Sequence, residues 1–328
     1  MNSKNYLNSL QSYTEADLKR VDSVIIAHTA SRAGHIPMLA GHIISAGGKR
    51  LRPLLTIICA KLCGYEGERH INLAASVEFI HTATLLHDDV VDESSLRRGI
   101  STANHLWGNK ISILVGDFLL SQSFQLMVKD GSLKTLGILS AASAVISEGE
   151  VMQLVSSSNV EMTEAVYMEI ITAKTAELFA ASCQIGAVVA DAGQKEEDAL
   201  RSVGMNLGIA FQIIDDALDY AADQQALGKT VGDDFREGKM TLPVIEAYAQ
   251  GSEEERAFWR RTMQENEQRP EDLQHAISLL EKHKTLHYAM QKAIAYAQAA
   301  MKALTDFPES EAKSVLKDII DFSVERAY

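Results

Sequence analysis

Little in this sequence would interrupt a helix, and little would support a disulfide framework. Only five prolines occur in 328 residues, none between Pro53 and Pro243, so a long series of helices can run without an obligatory break. Three cysteines, Cys59, Cys63 and Cys183, make an odd count without an export signal, which argues against structural disulfides. Cys59 and Cys63 have a spacing that can hold a metal on a helix face, but no His or Cys pair stands near them in sequence, and they are read as core. Basic charge is also in short supply. A formal net charge of -13 excludes nucleic acid as a natural partner, and any polyanionic ligand must meet a local basic pocket. The segment MNSKNYLNSLQSYTEADLKR has no apolar core of a secretory signal, and no stretch approaches 18 uncharged apolar residues. The expectation is a soluble, cytoplasmic chain with no transmembrane segment.

What is present is helical periodicity. With 46% hydrophobic residues the chain can build a sizeable core. Residues 5–46 read as amphipathic helix broken near Gly34 and Pro37, and GGKRLRP then forms a glycine-opened turn with Pro53 at the first position of the next helix. Apolar residues recur at helical spacing through LAASVEFIHTATLLHDDVVDE, ILVGDFLLSQSFQLMV and LKTLGILSAASAVISEGEVMQLV. AVYMEIITAKTAELFAASCQIGAVVA and EDALRSVGMNLGIAFQIIDDALDYAAD read as two more helices, before a glycine-rich loop at 227–239. The core helices are expected to end near Tyr248. Residues 251–275 read as a charged surface excursion ahead of helices at 272–305 and 309–326. No linker is evident, so the expected fold is all-α and single-domain over 1–328.

Two acidic motifs stand out, Asp88-Asp89-Val90-Val91-Asp92 and Asp215-Asp216-Ala217-Leu218-Asp219. Residues four apart share a helix face, so Asp88 pairs with Asp92 and Asp215 with Asp219. Thr84, His81 and Val77 lie on the Asp88 face, which sets this acidic edge above a mostly buried stripe. Two carboxylates about 4 Å apart repel by roughly 4 kcal/mol at an effective dielectric of 20, so something cationic belongs between them. Mg²⁺ suits the position, because it takes oxygen ligands and is commonly held by one or two carboxylates plus substrate phosphates. One such motif alone would pass for a solvated acidic face. Two, each closing an apolar helical run, point to a metal-diphosphate site.

The basic residues complete this reading. Lys49, Arg50 and Arg52 lie within the glycine-led GGKRLRP, where the backbone can approach closely and Arg can fork onto phosphate oxygens. Arg97 and Arg98 follow the first acidic motif closely enough to meet a metal-bound diphosphate. Lys174 and Thr175 sit in an otherwise apolar helix, and Lys174 is assigned to phosphate, with a structural acid as the competing partner. Gln212 lies about one turn before Asp215, and Lys229 and Lys239 flank the loop GKTVGDDFREGK. His81 is open between a core residue and a ligand contact.

Along nearly its whole length the chain resembles the trans-isoprenyl diphosphate synthases. The likeness rests on GGKRLRP, EFIHTATLLHDDVVDESSLRRG, AKTAELF, GIAFQIIDDALDY, GKTVGDDFREGKMTLPVI and DFSVERAY. It implies a bundle of antiparallel helices around a deep central cavity, with the acidic motifs facing each other across its mouth, and three Mg²⁺ ions. By the same resemblance Asp88, Asp92 and Asp215 bind metal, with Asp89, Asp216 and Asp219 as further ligands or supports, Asp219 being counted among the metal ligands. Lys49, Arg52, His81 and Arg98 then hold isopentenyl diphosphate. Arg97, Lys174, Thr175, Gln212 and Lys229 hold the allylic diphosphate, farnesyl or geranyl, with Lys239 beside them. The implied reaction ionises the allylic diphosphate, condenses the cation with isopentenyl diphosphate and eliminates a proton, with a homodimer as the working form.

Val77, Ile80, Ala83 and Thr84 are the chain-length candidates. Ala83 and Thr84 are small where short-chain members carry aromatic plugs. Val77, eleven residues before Asp88, lies about 16 Å deeper. With the likeness of HDDVVDES to bacterial long-chain enzymes, this implies an octaprenyl to decaprenyl product for the ubiquinone side chain, handed on to membrane enzymes. The competing readings are a geranylgeranyl-type synthase, a non-catalytic regulatory subunit, and a terpene cyclase or head-to-head synthase. GGKRLRP disfavours the last two, and intact acidic motifs also disfavour the regulatory subunit.

Overall fold

The computed structural model describes residues 3–45, 50–97, 99–221 and 231–325. In chain order the elements are α1 (Ser3–Thr29), α2 (His35–Ser45), α3 (Leu51–Leu62), α4 (Arg69–Val91), β1 (Leu96–Arg97), β2 (Ile100–Ser101), α5 (Ala103–Trp107), α6 (Asn109–Asp130) and α7 (Leu133–Ser156). They continue with α8 (Glu164–Ile171), a π turn (Thr172–Ala176), α9 (Glu177–Val189), α10 (Gln194–Leu218), α11 (Asp233–Arg236) and α12 (Leu242–Gln250). The last are α13 (Glu253–Trp259), a second π turn (Arg260–Gln264), α14 (Asp272–Lys282), α15 (Thr285–Ala303) and α16 (Glu311–Glu325). The chain is 78% helical, and one antiparallel hairpin, β1–β2, is the sheet among the described residues. This is the all-α class.

The elements follow the apolar pattern, with shifts where local chemistry intervenes. Pro53 is the third residue of α3 instead of the first, because Arg50 takes a left-handed conformation (φ 49°) as the N-cap. The run from Ala165 to Ala190 is not one α-helix, since the π turn at Thr172–Ala176 divides it. Residues 272–305 divide at His283 and Lys284, the latter at φ 55°.

Two compact units can be distinguished. The first comprises Met1–Ser143, Leu178–Gly204 and Ala303–Ile319. Its core joins Val21 and Ile25 of α1, Leu39 of α2, Ile57 of α3, Ala74, Phe79, Ala83 and Leu86 of α4, and Val115, Leu119 and Leu126 of α6. Small residues bring α4 and α6 together: Ser76 donates to the Ser123 carbonyl at 3.1 Å, and Ser112 to that of Leu86 at 3.1 Å. Cys59 and Cys183 are fully buried and Cys63 half-buried, all as free thiols. Burial pushes the Cys59 thiol well above its ordinary value.

Two helices, α6 and α7, are long and apolar enough to cross a membrane by length and composition. Each nevertheless carries core residues: Val115, Leu119, Leu126 and Met127 on α6, and Leu139, Ala142 and Ile146 on α7, are buried. The opposite face of α6 exposes Ile113, Leu114, Phe124 and Val128 in a stripe about 100° wide.

The second unit comprises Ala144–Glu177, Met205–Lys302 and Ile320–Tyr328. Within it, 251–275 is charged at its surface yet well anchored, since Trp259, Thr262 and Met263 are fully buried. Ser252 and Glu255 form a capping box, Glu255 also accepts from Lys282, and Arg261 grips Asp272 through two bonds of 2.8 Å. An excursion rich in charge thus hides an aromatic anchor.

Among the described residues of the first unit, the closest backbone approach to a glycine is at Gly204 of α10. A Cβ there would lie 2.3 Å from the Phe179 carbonyl oxygen and 2.7 Å from the Ala180 Cα of α9, so the helices must separate to accept it. Gly204→Ala is expected to destabilise the fold by about 1–3 kcal/mol. Thermal unfolding checks this, and an unchanged Tm would show that the contact carries no strain.

Candidate active site

The first acidic motif closes α4. The Asp92 N–H donates to the Asp88 carbonyl at 2.8 Å, after which Glu93 at φ 50° turns the chain away and β1–β2 returns it. The three carboxylates are not equivalent. Asp89 is 5% exposed, whereas Asp88 and Asp92 are half-buried. Arg97 Nε meets Asp89 Oδ1 at 2.7 Å, and Asn104 Nδ2 donates to the Asp89 carbonyl at 2.9 Å. Burial raises the Asp89 carboxyl above its usual range, and Arg97 opposes the shift. Arg97, assigned from sequence to the allylic diphosphate, is therefore engaged with Asp89.

Arg52 Nη1 lies 3.1 Å from His81 Nε2, and its guanidinium stacks 4.6 Å from the centre of the Phe179 ring. Because arginine can only donate, His81 accepts through Nε2 and carries its proton on Nδ1. The structure thus brings together the two residues assigned to isopentenyl diphosphate that it describes. Arg50, the third cation of GGKRLRP, is paired with Glu78 at 3.1 Å and Asp22 at 3.3 Å, so it braces the turn. Lys49, Arg98 and Lys229 lie outside the described residues. Of the chain-length candidates, Val77, Ile80 and Ala83 are buried. Thr84 is half-buried and donates to the His81 carbonyl at 2.8 Å.

The second acidic motif closes α10, and a chain of hydrogen bonds leads to it from the first π turn. Thr175 Oγ1 donates to Gln212 Oε1 at 2.8 Å, Gln212 Nε2 to Asp216 Oδ1 at 2.7 Å, and Tyr167 Oη to Asp216 Oδ2 at 2.6 Å. The wider π turn delivers Lys174 and Thr175 to different partners, for Lys174 Nζ reaches Glu150 Oε2 at 2.7 Å. Gly149 makes room: a Cβ there would lie 2.8 Å from the Lys174 backbone nitrogen. Lys174 thus has the acidic partner that was the competing reading of its sequence position.

Asp215 is exposed. Asp219 accepts from the backbone N–H groups of Asp233 at 3.3 Å and Asp234 at 3.0 Å, while its own carbonyl accepts from Gly232 at 2.8 Å. It ties the GDDFREGK segment to the end of α10. Burial raises Asp216 to about 7 against the bonds from Tyr167 and Gln212, and Asp219 to about 6 against those from Asp234 and Asp233. Asp234 is pushed up as well, by burial first and then by Asp216 and Asp219. Lys239 pairs with Glu237 at 2.5 Å.

Sequence reasoning missed Tyr167, Glu150, Asp234 and Glu78. Tyr167 stands two turns before Lys174, a spacing that puts both on one helical face. Asp234 belongs to a conspicuous acidic pair in the loop.

This donor set suits a hard cation. Its side chains are carboxylates without thiolates, and among the described residues no three His, Cys, Asp or Glu side chains converge as a ready-made cage. Such an arrangement matches an ion that draws its remaining ligands from phosphate and water.

Comparisons with known proteins agree with the fold. The chain is 44% identical over 322 residues to octaprenyl diphosphate synthase of Haemophilus influenzae, covering 98% of both chains. A decaprenyl diphosphate synthase from Rhodobacter capsulatus superposes with a TM-score of 0.95 at 48% identity, over 98% of this chain and 99% of that one. A polyprenyl synthase from Caulobacter crescentus, solved with calcium and isoprenyl diphosphate, superposes at 0.94 and 48% identity over 98% of each. The fold is thus that of the all-helical prenyltransferases. Residues 35–280 match the family model for polyprenyl synthetase, and the chain belongs to that family.

Proposed function

We propose that this chain condenses isopentenyl diphosphate head-to-tail with an allylic diphosphate, repeatedly, to an all-trans octaprenyl to decaprenyl diphosphate destined for a quinone side chain. The observation that carries this reading is the pair of acidic helix ends, each backed by basic or amide groups suited to phosphate. Relatives and neighbours named for octaprenyl and decaprenyl products support the length.

In this reading Asp88, Asp92 and Asp215 hold Mg²⁺, three ions in all when substrate is bound, with Asp89, Asp216 and Asp219 supporting them. Bound Mg²⁺ would supply charge stabilisation for the departing diphosphate. Arg52 and His81, with Lys49 and Arg98, bind and orient isopentenyl diphosphate. Lys174, Thr175, Gln212, Arg97, Lys229 and Lys239 serve the allylic diphosphate, and its phosphate oxygens compete with Glu150 for the Lys174 ammonium. No nucleophilic side chain is needed, because cations aimed at the leaving group stabilise charge where it develops.

The purified chain with Mg²⁺, isopentenyl diphosphate and farnesyl diphosphate is expected to release diphosphate and give long-chain alcohols after dephosphorylation. A chelator should abolish this, and Asp215→Ala should lower it at least about 100-fold while leaving the fold intact. Diphosphate release unaffected by chelator, or full activity in Asp215→Ala, contradicts the metal assignment. No release by the wild-type chain would favour the regulatory-subunit reading.

Product length is assigned to the α4 turns before Asp88, where Thr84 is small. Thr84→Phe should shorten the product while sparing the first condensation, as read by reversed-phase sizing. An unchanged length distribution would remove Thr84 from this role.

The exposed stripe Ile113, Leu114, Phe124 and Val128 on α6 is assigned to a second copy of the chain in a two-fold dimer. Sedimentation should give twice the chain mass of 35.9 kDa, and Leu114→Glu should give the monomer. A monomeric wild type would contradict the assignment.

A further inference from the structure

The hydrogen-bond chain from Tyr167 to Thr175 has a direction. Arrival of two donors on one carboxylate, Tyr167 Oη at 2.6 Å and Gln212 Nε2 at 2.7 Å, gives each oxygen of Asp216 its own partner and fixes the carboxylate plane. Gln212 turns its nitrogen towards Asp216, whose Oδ1 accepts at 2.7 Å, and its oxygen towards the Thr175 hydroxyl at 2.8 Å. The amide is polarised by its neighbours, and the last fixed member of the chain is Tyr167, 3% exposed within the second unit.

We propose that Tyr167 is a positioning residue for the allylic-diphosphate subsite, acting through Asp216 to hold the Gln212 amide so that the second hydrogen of its nitrogen, and not its oxygen, is offered to the incoming diphosphate. This rests on the assignment of Thr175 and Gln212 to that substrate. Without the tyrosine hydroxyl, Asp216 Oδ2 loses its donor in a buried place and the carboxylate is free to turn. Gln212 then loses the constraint that orients it, and an amide presenting oxygen to a phosphate repels where the nitrogen would bind. A residue that touches no substrate thereby decides the donor polarity of Gln212, which does.

The test is Tyr167→Phe in the full chain, with both substrates varied separately and binding of an unreactive allylic thiolodiphosphate measured with Mg²⁺ by calorimetry. The expected result is analogue affinity and kcat/KM for the allylic substrate reduced about 10–100-fold, with KM for isopentenyl diphosphate changed less than about twofold. Combining Tyr167→Phe with Gln212→Ala should cost no more than Gln212→Ala alone, because the tyrosine acts through the amide. Allylic affinity equal to wild type, equal losses for both substrates, or additive losses in the double variant would each overturn the proposal. Should Tyr167→Phe not fold, 3-fluorotyrosine at 167 keeps ring and hydroxyl while altering donor strength. A selective shift in allylic affinity supports the proposal, and none overturns it. A wild-type chain that binds neither substrate would instead overturn the proposed function itself.

Discussion

A carboxylate taken out of water must be met by donors or by a cation, and the ends of α4 and α10 are organised by that constraint. At each end one carboxylate is turned inward and satisfied by the protein. Asp89 receives Arg97 and Asp216 receives Tyr167 and Gln212. Asp219 is turned onto the backbone of α11. Asp88 and Asp92 are half-buried and Asp215 exposed, and these are the carboxylates that the proposed function assigns to an incoming ion. Burial is the first cause of the upward shifts at Asp216, Asp219 and Asp234.

The same constraint links the chemistry to the core. The lower turns of α4 are buried in the first unit through Ala74, Phe79 and Ala83, and its last turn carries the acidic motif. A single helix therefore runs from apolar packing to charged terminus, which is what an enzyme needs if a hydrocarbon tail and a diphosphate head belong to one substrate. In the second unit Gly149 lets α7 approach the π turn, so Lys174 and Thr175 can be directed to separate partners.

Much of this was legible in the sequence. The apolar runs marked the long helices because 3.6-residue periodicity survives whatever the helices pack against. The acidic motifs announced themselves by spacing and by closing those runs. Other features were not legible, each for a local reason. The π turn leaves no compositional mark, so AVYMEIITAKTAELFAAS reads as uninterrupted helix. The β1–β2 hairpin has two-residue strands, too short for alternation to register. Charge dominated the reading of 251–275, although Trp259 within it is fully buried. Tyr167 and Glu150 gained their roles from partners 49 and 24 residues distant, and no spacing rule reaches that far. The carboxylates that Arg50 and Arg97 meet, Glu78 and Asp89, were not legible either, because sequence displays a cation but not its partner.

The central claim is that the outward carboxylates grip a divalent ion shared with diphosphate. Its most direct test is anomalous scattering from Mn²⁺, as a stand-in for Mg²⁺, in crystals grown with an unreactive allylic diphosphate. The account predicts ions bridging the diphosphate to oxygens of Asp88, Asp92 and Asp215. Diphosphate bound by cationic side chains alone, with Mn²⁺ absent from all three aspartates, would contradict it.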